Sequence, residues 1–201
     1  MIPSGDNLKA VAFDFDGVVA DTMPMLSRLG RGVIQMYYDA PRHAASDLYW
    51  KTVGLPFIDQ LEECFGANDS RNAIAAEYFE SRKRDLMAEA QPFPDIQRLL
   101  LGLAAGSIRT ALCSSTRSSL IEDFCKKNKL PFIWLGGIEH GKKHTQLLKF
   151  LRICGLSSQQ TLFLGDSIDR DASFADKAGV PFAHVDRERR IIAELIEKYA
   201  S

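Results

Sequence analysis

The chain has 201 residues, 46% of them hydrophobic and 25% charged, with a formal net charge of −1. That suits one soluble domain with a sizeable core, or such a domain with a modest insertion. The near-neutral balance argues against a nucleic-acid partner, and no stretch approaches the roughly 18 consecutive apolar residues of a membrane span.

Residues 9–13 read as a short buried strand. From Met23 the rhythm changes: Met25, Leu29, Val33 and Met36 recur at helical spacing. "ASDLYWKTV" and "FIDQLEECF" read as two more short helices, separated by Gly54 and Pro56. A longer helix is expected from about Ser70 to Ala90, with Ile74, Tyr78 and Phe79 on one side. Its Arg82, Lys83 and Arg84 read as a solvated face. "QPFPDIQRLLLGLAAG" is a turn and then a helix, with Pro94 in the first turn and Gly106 at the end.

After Gly106 strands and helices alternate. "SIRTALCSS", "PFIWLGG", "TLFLGD" and "VPFAHV" are the strands; "RSSLIEDFCKKN", "HTQLLKFLRICG", "DASFADKAG" and "ERRIIAELIEKY" are the helices. Short loops between them predict a parallel sheet covered on both faces, an α/β domain interrupted by an all-helical segment. Cys64, Cys113, Cys125 and Cys154 lie far apart and are expected as reduced, buried thiols. "MIPSGDNLK" has no apolar signal core, so the expected location is cytoplasmic.

The strand ends carry the chemistry, because open parallel sheets bind ligands there. The first ends in Asp14-Phe15-Asp16-Gly17 and the second in Ser114-Ser115-Thr116. A later one ends in Gly165-Asp166, with Asp169 and Asp171 close behind, and "GKKH" supplies Lys142 and Lys143. Carboxylates converging from two strands repel unless a cation lies between them, and oxygen ligands suit magnesium. His140 and His144 stand four apart, but no third ligand stands at a telling distance.

These residues, in this order, resemble the four motifs of the haloacid dehalogenase superfamily. Asp14-Phe15-Asp16-Gly17-Val18 resembles the first, Ser114 the second, Lys142 or Lys143 the third, and Gly165-Asp166 through Asp171 the fourth. The resemblance covers nearly the whole chain. It implies a Rossmann-like core, residues 1–21 and 93–201, with a helical cap, residues 22–92, as in the phosphoglycolate-phosphatase-like and beta-phosphoglucomutase-like branch. By resemblance Asp14 is a nucleophile that forms an aspartyl-phosphate, and Asp16 is the general acid and base. Ser114 and a lysine contact the phosphoryl group, and N–H groups near Gly17 and Ser115 add donors. Magnesium takes the side chains of Asp14 and Asp166 and the carbonyl of Asp16, and Asp171 holds a metal-bound water or orients the lysine. The usual Lys-Pro is absent, which leaves Lys142 and Lys143 both open.

Asp16 argues against dehalogenation, which does without a second aspartate there. Phosphonate hydrolysis needs a cap lysine, and Lys51 has no activating context. The expected activity is hydrolysis of a small phosphorylated metabolite by a monomer or homodimer. A phosphomutase, or a non-catalytic binding protein on the same fold, are the alternatives. The cap turn Val53–Phe57 is placed to face substrate or to fill the cap core.

Overall fold

The computed structural model describes residues 7–200; the first six residues of the stretch read as lacking a signal core lie outside it, as does the last residue. In chain order the elements are β1 Ala10–Phe13, α1 Met23–Tyr38, α2 Arg42–Thr52, α3 Phe57–Phe65, α4 Arg71–Glu89 and α5 Pro94–Ala105. Then come β2 Arg109–Cys113, α6 Ser118–Lys127, β3 Trp134–Gly136, α7 Lys143–Cys154, β4 Thr161–Gly165, α8 Arg170–Ala178, β5 Phe182–His184 and α9 Arg190–Tyr199.

The strands form one parallel sheet in the order β3-β2-β1-β4-β5. Ala10 pairs with Arg109 on one side and Thr161 on the other, so the three central strands run level. Side chains alternate between faces. Ala10, Ala12, Ala111, Cys113 and Phe163 pack with Leu147 and Phe150 of α7 and Ala175 and Ala178 of α8. Val11, Phe13, Leu112, Leu162 and Leu164 point the other way and are equally buried. Burial on both faces is why these strands read as unbroken apolar runs. On the flank, α5 and α9 pack closely at Gly102, where a Cβ would lie 2.5 Å from the Cβ of Ala200.

The chain divides into two units. One runs to Asp21 and resumes at Gln91; the other is Thr22–Ala90, all helical and inserted after β1. Gln91 and Pro92, which the sequence reading placed with the helices, pair instead with the segment after β1. The Asp21 N–H donates to the Gln91 carbonyl at 3.1 Å, and Ala20 bridges Pro92.

The helical unit has its own core, in which Phe57 stacks on Phe79 at 3.9 Å between centroids. Phe57 is therefore a core residue. The buried face of α1 is Leu26, Ser27, Gly30, Val33 and Ile34. Of the expected stripe, Val33 is buried and Leu29 packs against the core, whereas Met36 is 61% exposed; with Met25 they also line a groove of about 330 Å³ that includes Arg28, Arg82 and Leu86. In α4 the buried positions are Asn72, Ala75, Ala76, Phe79, Lys83 and Met87. Ile74 is exposed, and Lys83 is buried between exposed Arg82 and Arg84 rather than solvated. Among the described residues all four thiols are free; Cys113 and Cys125 are buried, Cys64 and Cys154 half-buried. No helix of the described residues is long and apolar enough to cross a membrane.

Candidate active site

Strand order reverses at β1, with β2 on one side and β4 on the other, and polar residues leave all three strands at the same edge. Asp14 follows β1 and is buried. Its N–H donates to the Leu164 carbonyl at 2.8 Å, its Oδ1 accepts the Phe15 N–H at 2.7 Å, and its Oδ2 lies 2.8 Å from Lys143 Nζ. The same ammonium donates to Asp171 Oδ1 at 2.8 Å, and Asp171 Oδ2 accepts the Ser167 N–H at 3.1 Å. Carboxylate oxygens of Asp14, Asp166 and Asp171 lie within 4.8 Å of one another.

Three carboxylates thus face one ammonium in a largely buried place. Burial raises the Asp14 carboxyl well above its usual range; Lys143 opposes this, and Asp171 and Asp166 add to it. Burial also pushes Asp166 up to about 6, reinforced by Asp171 and Asp16 and opposed by Lys143. For Lys143, burial favours the neutral amine, but Asp14 and Asp171 outweigh it and hold the ammonium above the ordinary lysine range. The cluster carries more negative charge than its lysine balances. An all-oxygen donor set of this kind fits a hard divalent cation.

Asp16, two residues beyond Asp14, stands apart from this trio. It is half-buried, and its Oδ2 accepts from Thr116 Oγ1 at 2.8 Å. Ser114 is buried after β2, and its Oγ accepts the Thr116 N–H at 3.0 Å; Ser115 follows, half-buried. Gly17 has φ 80°, a conformation that favours glycine, and donates its N–H to the Ala20 carbonyl at 2.9 Å. That N–H is engaged in the turn, so Gly17 contributes backbone conformation rather than an open donor.

Of the two lysines left open, Lys142 is exposed and precedes α7, whereas Lys143, the first residue of α7, turns inward. Asp169 is exposed at the start of α8, and Asp171 is the aspartate inside. His140 and His144 do not pair. His140 Nδ1 lies by Ser118 Oγ and the Gly137 N–H, while His144 stacks on Phe174.

The model of the haloacid dehalogenase-like hydrolase family matches residues 11–185. The chain belongs to this family. No curated protein matches it. Among solved structures it is similar to a haloacid dehalogenase-like hydrolase from Streptococcus pneumoniae, with 20% identity, 90% of this chain and 86% of that one covered, and a TM-score of 0.75. It is also similar to a predicted phosphatase from Clostridium acetobutylicum, with 18% identity, 94% and 99% covered, and a TM-score of 0.77. A third is a predicted phosphoglycolate phosphatase from Haemophilus somnus, with 15% identity, 89% and 85% covered, and a TM-score of 0.68. At these identities the likeness establishes the fold.

Two supports of this hydrolase site escaped the sequence reading. Thr116, in the sequence only the last residue of a strand end, braces Asp16. Gln146, fully buried, donates from Nε2 to the carbonyls of Ser114, Gly137 and Gly141 at 2.9, 3.0 and 2.7 Å, and accepts the Ser114 N–H at 3.0 Å. It ties the loops after β2 and β3 to the first turn of α7. The one available signal was an amide three residues after Lys143, on the side of α7 that also carries Leu147 and Phe150.

Gly165 has a different task from Gly17. A Cβ there would lie 2.5 Å from the Cβ of Asp171, so the absence of a side chain lets α8 bring that carboxylate against β4. Gly165→Ala should cost about 1–3 kcal/mol by overpacking. The loss is read by thermal melts. A melt unchanged from the parent would contradict this packing.

Proposed function

We propose that this hydrolase is a magnesium-dependent phosphatase that cleaves a small phosphorylated metabolite through a phosphoryl-Asp14 intermediate in the cytoplasm. The observation that carries the reading is the Asp14–Lys143–Asp171 chain of contacts, with Asp166 alongside and Asp16 held separately. Asp14, Asp166 and the Asp16 carbonyl would hold the magnesium, whose charge offsets the carboxylates and lets an anionic phosphate approach. Asp171 has both oxygens engaged by Lys143 and Ser167, which suits it to orienting the lysine.

An Asp14 oxygen attacks phosphorus and the bond to the ester oxygen breaks, with a proton from Asp16 going to the leaving oxygen. Asp16 then takes a proton from water, which attacks the same phosphorus and releases phosphate and Asp14. Lys143 stabilises charge on Asp14 and the phosphoryl oxygens, and Ser114 has a hydroxyl proton to donate to them.

The test is phosphate release from p-nitrophenyl phosphate and a panel of phosphorylated metabolites, with magnesium or with excess chelator. Release is expected only with magnesium. Because burial raises both the Asp14 and the Asp166 carboxyls, the cation must displace protons as pH falls. The half-saturating magnesium concentration should therefore rise as pH falls from 7 to 5. No release from any ester, with the protein folded, would overturn the reading.

A further inference from the structure

Arg189, just before α9, lies in the left-handed region at φ 53°, where a side chain costs conformational energy. What holds it there is its guanidinium. Nε and Nη2 pair with the two oxygens of Asp95 at 2.7 and 2.8 Å. Nη2 also donates to the Val18 carbonyl at 3.1 Å, and the group lies over the Phe93 ring, 4.0 Å from its centroid.

Val18 belongs to the turn that begins at Asp16. In that turn the N–H groups of Val19 and Ala20 both donate to the Phe15 carbonyl at 2.9 Å, and Gly17 donates to Ala20. The Val18 residue is fully buried, and Arg189 supplies its carbonyl with a donor. On the other side, the Phe93 N–H donates to the Val19 carbonyl at 3.0 Å. One planar fork therefore joins the Asp16 turn to the Phe93–Asp95 segment, a geometry that a lysine cannot reproduce.

We infer that Arg189 is a positioning residue for Asp16. Thr116 fixes the carboxylate, and Arg189 fixes the backbone turn that carries it. The inference rests on the phosphatase reading, in which Asp16 protonates the leaving oxygen. Without Arg189 the Val18 carbonyl loses its charged donor, the turn relaxes, and the Asp16 carboxyl leaves its line to the ester oxygen.

Leaving-group dependence separates this role from general support of the fold. A nitrophenolate departs without a proton; an alkoxide does not. Arg189→Lys and Asp95→Asn would be compared with the parent on p-nitrophenyl phosphate and an alkyl phosphate, with thermal melts to confirm folding. Arg190→Ala is the control, since Arg190 is 73% exposed and pairs with Asp186 and Glu188.

In both variants kcat/KM, which reads the first phosphoryl transfer alone, should fall about tenfold or more further on the alkyl ester than on the nitrophenyl ester, part of the 10²-fold or greater gain that a general acid supplies. Slower hydrolysis of phosphoryl-Asp14 lowers kcat on both esters alike and does not enter that ratio. Equal losses of kcat/KM on both esters, or none on either, would overturn the role of Arg189 while leaving the phosphatase reading intact. A parent enzyme inactive on both esters would instead overturn that reading, and this inference with it.

Discussion

Asp14→Asn is expected to abolish turnover, by at least about 10⁴-fold, while the protein stays folded. An amide keeps the shape of the carboxylate, and its single oxygen can still accept from Lys143 or from the Phe15 N–H, though not from both. It cannot attack phosphorus. It also removes a carboxyl that burial, with Asp171 and Asp166 nearby, holds above its ordinary range. The melting temperature without metal should therefore hold or rise. Loss of activity with a retained melt is the expected pair of results; substantial turnover by the variant would end the role of Asp14 as nucleophile.

Lys143→Ala should do the opposite to stability. It leaves Asp14 and Asp171 without their shared ammonium, in a place where neither is appreciably hydrated. Breaking a buried pair from one side costs about 3–5 kcal/mol, which for a chain of this size lowers the melting temperature by on the order of 10 °C. The sign of the pH dependence is fixed. Asp14 and Asp166 are already raised in the folded protein, and losing Lys143 raises them further. A raised carboxyl penalises the folded state once pH exceeds its unfolded value of about 3.9, and the penalty is complete above its folded value. Lys143 itself stays charged throughout this range. The variant should thus be weakest at pH 7, recover toward pH 5, and gain more from magnesium than the parent does. A deficit that stayed the same from pH 5 to 7 would mean that the lysine balances no charge there.

The residues that the sequence made legible are those whose signal is local. Asp14, Asp16, Ser114 and Asp166 each stand at the end of an apolar strand, and one dimension suffices to see that. Lys142 and Lys143 could not be separated in this way, because one residue at a helix start decides between solvent and interior. Thr116 was out of reach for another reason: its partner Asp16 lies 100 residues away. In α4 the buried stripe contains Asn72, Ala75, Ala76 and Lys83, so hydrophobicity alone pointed to Ile74, on the wrong face. Small and polar residues pack as well as large apolar ones where the partner helix fits them, and the pattern then disappears from the sequence.

The place where the helical unit leaves and rejoins the sheet has one more consequence. Asp21 and Gln91 meet through a backbone hydrogen bond, and the Ala20–Pro92 bridge runs antiparallel beside it. The two ends of the insertion are therefore neighbours, fastened to each other by residues of the sheet-bearing unit. Anything that begins and ends at adjacent points can occupy that gap without disturbing strand register. The chain is built as a socket: the buried carboxylates belong to the frame, and the inserted piece enters and leaves it at one place. Lineages could replace it, and an engineer could graft another helical segment or a short turn across Asp21 and Gln91, while the frame keeps its chemistry.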